Sequence, residues 1–217
     1  MLDGTFSIIA FDPQNGDLGI AIASKALAIG ARSVFAVANL GAVVSQSMIS
    51  SELGSNSLNL LNQGYPPNQV VSHLLQDDPY VNVRQIAVIN NHGNTAAYTG
   101  PEARSWAGDR QGHYYSIQGN MLVSEQVIEN MASMFETSRQ NNPNFELAQH
   151  LMLALDAGQK AGGDKRGKQS AALLVVRAGA GPNRSGGDRY IDLRVDDHIS
   201  PIDELGRLLH LRLVSPW

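Results

Sequence analysis

The residue with the most distinctive chemistry is Thr5, which follows Gly4 at the head of an apolar stretch. A threonine whose α-amino group is free carries a hydroxyl nucleophile and its own general base in one residue. An α-amine has an unperturbed pKa of about 7.7–8.0, so at neutral pH it can take the hydroxyl proton without help from a histidine. That chemistry requires cleavage before Thr5; while Gly4 stays attached, the Thr5 nitrogen is an amide with no useful basicity. The plain alternative is that Thr5 is an ordinary β-branched strand residue.

Two further groups of residues have the composition of a site. The stretch Gly162-Gly163-Asp164-Lys165-Arg166-Gly167-Lys168-Gln169-Ser170-Ala171-Ala172 is glycine-rich and polar and runs straight into an apolar segment. Such glycines either let backbone approach a ligand or end a helix in a solvated turn. Gln118-Gly119-Asn120-Met121 carries side-chain amides that could hold a polar ligand or build an Asx turn. Six histidines are scattered, no two of them at helical spacing, so no metal site is expected. His198, in Arg194-Val195-Asp196-Asp197-His198, fits capping and charge pairing at a strand-to-helix junction. There is no Walker A sequence, Gly-x-Ser-x-Gly elbow, His-Glu-x-x-His helix or strand-led Gly-x-Gly-x-x-Gly, and no cofactor is expected.

The elements that must position these residues can be read from periodicity. Thr5 to Phe11 and Leu18 to Ala23 read as two strands joined by Asp12-Pro13-Gln14-Asn15-Gly16, where Asn15-Gly16 suits a tight primed hairpin turn. Ser33 to Asn39 and Gly41 to Ser45 read as a second pair, apolar at successive positions as in strands covered on both faces. Leucines and valines at helical spacing around Gly64-Tyr65-Pro66-Pro67 predict two helices. Gln85 to Ile89 and Thr95 to Tyr98 form a further hairpin, with Tyr114 to Ile117 as another strand. An amphipathic helix follows from Ser124, its expected N-cap, to Arg139; a second runs from Phe145 to the breaker Gly162-Gly163. Ala171 to Val176 and Tyr190 to Val195, around a Gly/Pro/Ser-rich loop, are the last strands before a closing helix from Pro201 to Leu211. Strands, helices, strands, helices, strands and a helix, without a βαβ repeat, indicate an α+β fold or a four-layer αββα sandwich.

The chain has 217 residues, a length suited to one domain spanning 1–217. At 43% hydrophobic and 17% charged it has a globular composition. A formal net charge of −4 offers no cationic field for nucleic acid or an anionic membrane surface. No apolar run approaches the roughly 20 residues of a membrane-spanning helix, and no secretion signal is read at the start. The absence of cysteine fits the cytoplasm and excludes a thiol nucleophile and thiolate metal sites.

Taken together, Thr5-Phe6-Ser7-Ile8, Gly19-Ile20-Ala21-Ile22-Ala23-Ser24-Lys25, Gln118-Gly119-Asn120-Met121-Leu122, the Gly163-to-Ala172 stretch and Asp192 to His198 resemble the domain of unknown function 1028 family, over nearly the whole chain. That family is grouped with the N-terminal nucleophile (Ntn) hydrolases. The resemblance implies an αββα sandwich and hydrolysis of an amide bond by an N-terminal Thr, Ser or Cys. The opening also looks like a proteasome β-subunit. By that likeness Thr5 is the nucleophile, and Ser24 and Lys25 end the second strand, with Ser24 where the superfamily expects an aspartate. Ser45 and Gln46 would offer backbone N–H groups as an oxyanion hole, and Asp164 and Ser170 would orient the N-terminal amine. The implied function is an amidohydrolase acting on a small amide or peptide. A non-catalytic metabolite-binding protein holding a polar ligand through Gln118, Asn120 and Arg166 is the alternative, and a homodimer is an open expectation for such a sandwich.

Overall fold

A computed structural model describes residues 3–180 and 188–214. Met1, Leu2 and most of the Gly/Pro/Ser-rich loop expected between the last two strands lie outside the described residues. Ten strands form two antiparallel sheets among the described residues. The first sheet contains β1 (Thr5–Asp12), β2 (Asp17–Ser24), β7 (Gly108–Gly112), β8 (Tyr115–Asn120), β9 (Ser170–Val176) and β10 (Arg189–Val195), in the order β10-β9-β2-β1-β8-β7. The second contains β3 (Val34–Val37), β4 (Gly41–Ser47), β5 (Arg84–Asn90) and β6 (Thr95–Thr99) in sequence order. Six α-helices accompany them: α1 (Ile29–Ser33), α2 (Ser51–Asn62), α3 (Pro67–Leu75), α4 (Gln126–Asn141), α5 (Leu147–Lys160) and α6 (Pro201–Val214). The fold is mixed α+β.

Alternation along the central strands explains where these elements go. Phe6, Ile8 and Ala10 of β1 pack in one buried cluster with Met131 and Phe135 of α4 and Leu151 and Leu155 of α5. Ile9 and Phe11, on the opposite face, join Val44, Ala87 and Ile89 of the other sheet. Val43, Ile86 and Val88 turn away from that contact, toward Leu53 and Leu61 of α2 and Val70 and Val71 of α3. Strands buried on both faces need near-continuous apolar sequence, which is what β2 and β9 have.

Several local expectations are modified. The β1–β2 connection is a four-residue loop, Pro13 to Gly16, because the register pairs Asp12 with Asp17. The Asp12 carboxylate accepts the Gln14 N–H, the Asn15 side chain accepts the Asp17 N–H, and only Gly16, at φ 78°, takes the left-handed conformation. The strand expected from Ser33 is shortened to Val34–Val37, and the short helix α1 precedes it. Ser124 contributes its backbone carbonyl to the start of α4, accepting from Val127 N–H, while no side-chain cap is made there. The strand β7 was not anticipated at all.

Candidate functional site

Thr5 lies at the end of β1, opposite Ser24 of β2 on one side and Asn120 of β8 on the other. Its side chain is fully buried, and its hydroxyl lies 3.3 Å from the Asp3 carbonyl and 3.4 Å from Ser24 Oγ. The Ser24 hydroxyl in turn donates to the Gly4 carbonyl at 2.5 Å. The Arg166 guanidinium donates to that same oxygen from Nη2 at 3.0 Å. The carbonyl of the peptide bond preceding Thr5 is thereby held by a hydroxyl and a cation, donors suited to negative charge on that oxygen.

Arg166 reaches this place because of how α5 ends. Gly162 and Gly163 have φ of 116° and 58°, the left-handed values that stop a helix at little cost for glycine. The chain then bridges back against β8's exit, with Leu122 opposite Asp164, the Val123 N–H donating to the Gly163 carbonyl and the Lys165 N–H to the Met121 carbonyl. This sets the buried Asp164 carboxylate beneath Gly4. One of its oxygens accepts from Arg166 N–H at 2.9 Å and Nε at 3.1 Å; the other accepts from Lys25 N–H at 2.9 Å and Arg166 Nη2 at 2.7 Å. A side chain held in such a fork loses little further freedom on meeting a ligand.

The segment before Thr5 is also anchored. Asp3 N–H donates to the Ser47 carbonyl at the end of β4, and the Asp3 carboxylate pairs with Arg32 at 3.2 Å. Outside it opens a cleft of about 730 Å³ lined by Asp3, Lys25, Arg32, Met48, Ile49 and Arg166, among others.

The residues singled out from sequence fall into separate groups. Thr5, Ser24, Asp164, Arg166 and the Lys25 backbone converge on the Gly4–Thr5 bond, while Lys25 Nζ donates to the Lys168 carbonyl. Ser170 pairs with Ser24 in register, but its hydroxyl donates to the Ala26 carbonyl and accepts from Ile29 N–H, holding the turn into α1. Ser45 Oγ accepts the Ser50 N–H. Gln46, Gln118 and Asn120 belong to a buried amide network between the sheets: Ser7 donates to Gln46 Oε1 at 2.7 Å, Gln118 Nε2 donates to Ser7 Oγ at 2.6 Å, and Gln46 Nε2 and Asn120 Nδ2 both donate to Gln85 Oε1. Gln118 and Asn120 thus use their amide N–H groups inside the protein. His198 Nδ1 accepts the Ser200 N–H just before α6. No group of three or more metal-ligating side chains occurs among the described residues, and no helix among them is long and apolar enough to cross a membrane.

Sequence reasoning passed over Ser7, Ser47 and Gln85. Ser7 had a visible signal, a hydroxyl between Phe6 and Ile8 in a strand that is apolar from Ile8 to Phe11; Gln85 and Ser47 matter through contacts with residues distant in sequence.

A two-sheet α+β protein with a threonine seated behind a gripped peptide carbonyl is the class that fold and site define. The chain belongs to DUF1028, a family of unknown function, whose model matches residues 5–205. The crystal structure of protein SPO2555 from Silicibacter pomeroyi, itself assigned to DUF1028, is 31% identical with a TM-score of 0.87, over 98% of this chain and 88% of that one. Anbu from Hyphomicrobium sp. strain MC1 aligns over 96% of this chain and 95% of its own at 10% identity and a TM-score of 0.43. Anbu (ancestral beta-subunit) from Yersinia bercovieri aligns over 96% and 94% at 11% identity and 0.42, and neither score is high enough to define a common fold. No curated protein matches the sequence.

Proposed function

We propose that this chain is an N-terminal nucleophile-type amidohydrolase, a single unit whose helix, sheet, sheet and helix layers form an αββα sandwich, acting on a small amide or peptide with Thr5 as nucleophile. The layering is supported by the three buried clusters, one between the sheets and one on the outer face of each. The chemistry rests on one observation: the Gly4 carbonyl, adjacent to the Thr5 hydroxyl, is held by Ser24 and Arg166.

In the first event Thr5 Oγ1 adds to the Gly4 carbonyl carbon, and charge on the oxygen is met by the Ser24 hydroxyl and the Arg166 guanidinium. The Gly4–Thr5 C–N bond breaks, the hydroxyl proton passes to the departing nitrogen, and Thr5 acquires a free α-amine. Water hydrolyses the resulting ester, releasing the acid that ends in Gly4 and restoring the hydroxyl. In turnover the α-amine takes the hydroxyl proton as Oγ1 attacks a substrate carbonyl; the leaving amine receives it, and water again cleaves the ester.

Intact-mass spectrometry of purified protein after incubation is expected to show a chain beginning at Thr5, and Thr5→Ala to show only full-length chain. Full-length chain alone in the parent, or identical amide hydrolysis by parent and Thr5→Ala, would reject the proposal.

A further inference from the structure

The segment preceding Thr5 lies across the site as an acyl donor would, and three contacts describe what that donor must be. Asp3 N–H donates to the Ser47 carbonyl at 3.0 Å, so the acyl portion runs extended beside the end of β4 and offers an amide N–H. At Gly4 there is no room for a side chain: a Cβ there would sit 2.8 Å from Asp164 Oδ2, 2.8 Å from Met121 Cβ and 2.9 Å from Asp164 Oδ1. Asp164 cannot withdraw, because it is tied to Lys25 and to Arg166. One residue earlier, the Asp3 carboxylate meets Arg32 Nη2 at 3.2 Å, and the same nitrogen donates to the Leu27 carbonyl at 3.2 Å, which aims the guanidinium.

Charge in the cleft points the same way. Among the described residues that line it, Asp3 is the only acid, whereas Lys25, Arg32 and Arg166 are all cationic. Arg166 is answered by Asp164 and stays paired, but departure of Asp3 leaves Arg32 facing the cleft without its carboxylate. A substrate that restores that carboxylate regains a charge-assisted contact.

We infer that the site takes amides of an acidic acyl-glycine, with a glycyl unit at the scissile carbonyl and a carboxylate side chain on the residue before it, read by Arg32. This assignment rests on the proposal that Thr5 is the nucleophile. The acidic acyl-glycyl group passes to Thr5 Oγ1, the amine leaves with the hydroxyl proton, and water releases the free acyl-glycine.

The test uses protein incubated at full length and checked by intact mass, with the p-nitroanilides of N-acetyl-Asp-Gly, N-acetyl-Asn-Gly and N-acetyl-Asp-Ala. The acidic glycyl amide is expected to exceed each of the others by about tenfold or more in kcat/KM, the scale of one lost charge-assisted contact or one steric clash. Arg32→Gln is expected to remove the preference for Asp over Asn, with the larger loss in kcat/KM falling on the Asp substrate, and Arg32→Lys to retain part of the preference. Chains beginning at Thr5 that hydrolyse these amides without the preference, or none of them at all, overturn the assignment and leave cleavage at Thr5 standing. Absence of any chain beginning at Thr5 overturns the nucleophile reading, and the assignment with it. The comparison among the three substrates on the parent protein holds even if Arg32→Gln does not fold.

Discussion

Replacing Asp164 by asparagine keeps the shape of the side chain and removes its charge, a direct measure of how firmly Arg166 is fixed. The carboxylate is 1% exposed and accepts four N–H groups, two on each oxygen. An asparagine has one oxygen, so whichever way its amide is turned, two of those donors face an NH2 group. Each buried donor left without an acceptor costs about 1–3 kcal/mol. Because Arg166 is partly exposed, its own loss is offset by water, and a total of about 3–5 kcal/mol, the usual cost of breaking a buried ion pair, is the expected destabilisation. Urea unfolding measures it as a lowered midpoint with an unchanged slope. The same variant loosens one of the two donors on the Gly4 carbonyl, so release of the Thr5 chain is expected to slow by about tenfold or more. A variant within about 1 kcal/mol of the parent would refute the claim that this carboxylate organises the site.

Gln85→Ala tests the buried network. Gln85 Nε2 donates to Thr99 Oγ1 and to the Gly108 and Gly119 carbonyls, while its oxygen accepts from Gln46 and Asn120, so truncation is expected to cost about 2–4 kcal/mol in denaturant unfolding. His150 makes stability pH-dependent. Burial, then the charge of Arg139, lower its pKa below the ordinary 6.5, against a smaller opposing effect of Asp12. The unfolded chain therefore binds the proton first, and stability is full above about pH 6.5 and declines below it, by at most about 1.4 kcal/mol per pH unit. Thermal melts at pH 7.5 and 5.5 are expected to fall further for the parent than for His150→Gln, and equal falls would count against this origin.

Most of the element order was legible because it depends on local pattern. β1, β2 and β9 are apolar at consecutive positions, and α4 and α5 carry their apolar residues at helical spacing up to Gly162-Gly163. β7 was not legible: Gly-Asp-Arg-Gln-Gly has no strand signature, and it is a strand because β8 offers it a partner. The helix α1 is five residues long and starts after Ala28 at φ 51°, too short for periodicity to register. Its place is set instead by the Ser170 hydroxyl, which accepts the Ile29 N–H from a strand more than a hundred residues away.

The amino-acid order by itself determined that a threonine follows a glycine at the head of a buried strand, that a glycine pair ends a helix just before Asp164, and that no thiol is present. Tertiary structure alone decided that Arg166 lies on the Gly4 carbonyl, that Ser24 shares it, and that Gln118 and Asn120 face inward to Ser7 and Gln85. The division has a physical cause: periodicity and turn chemistry act over a few neighbouring residues, whereas a hydrogen bond between positions 4 and 166 exists only after two sheets and a helix end have packed into one register.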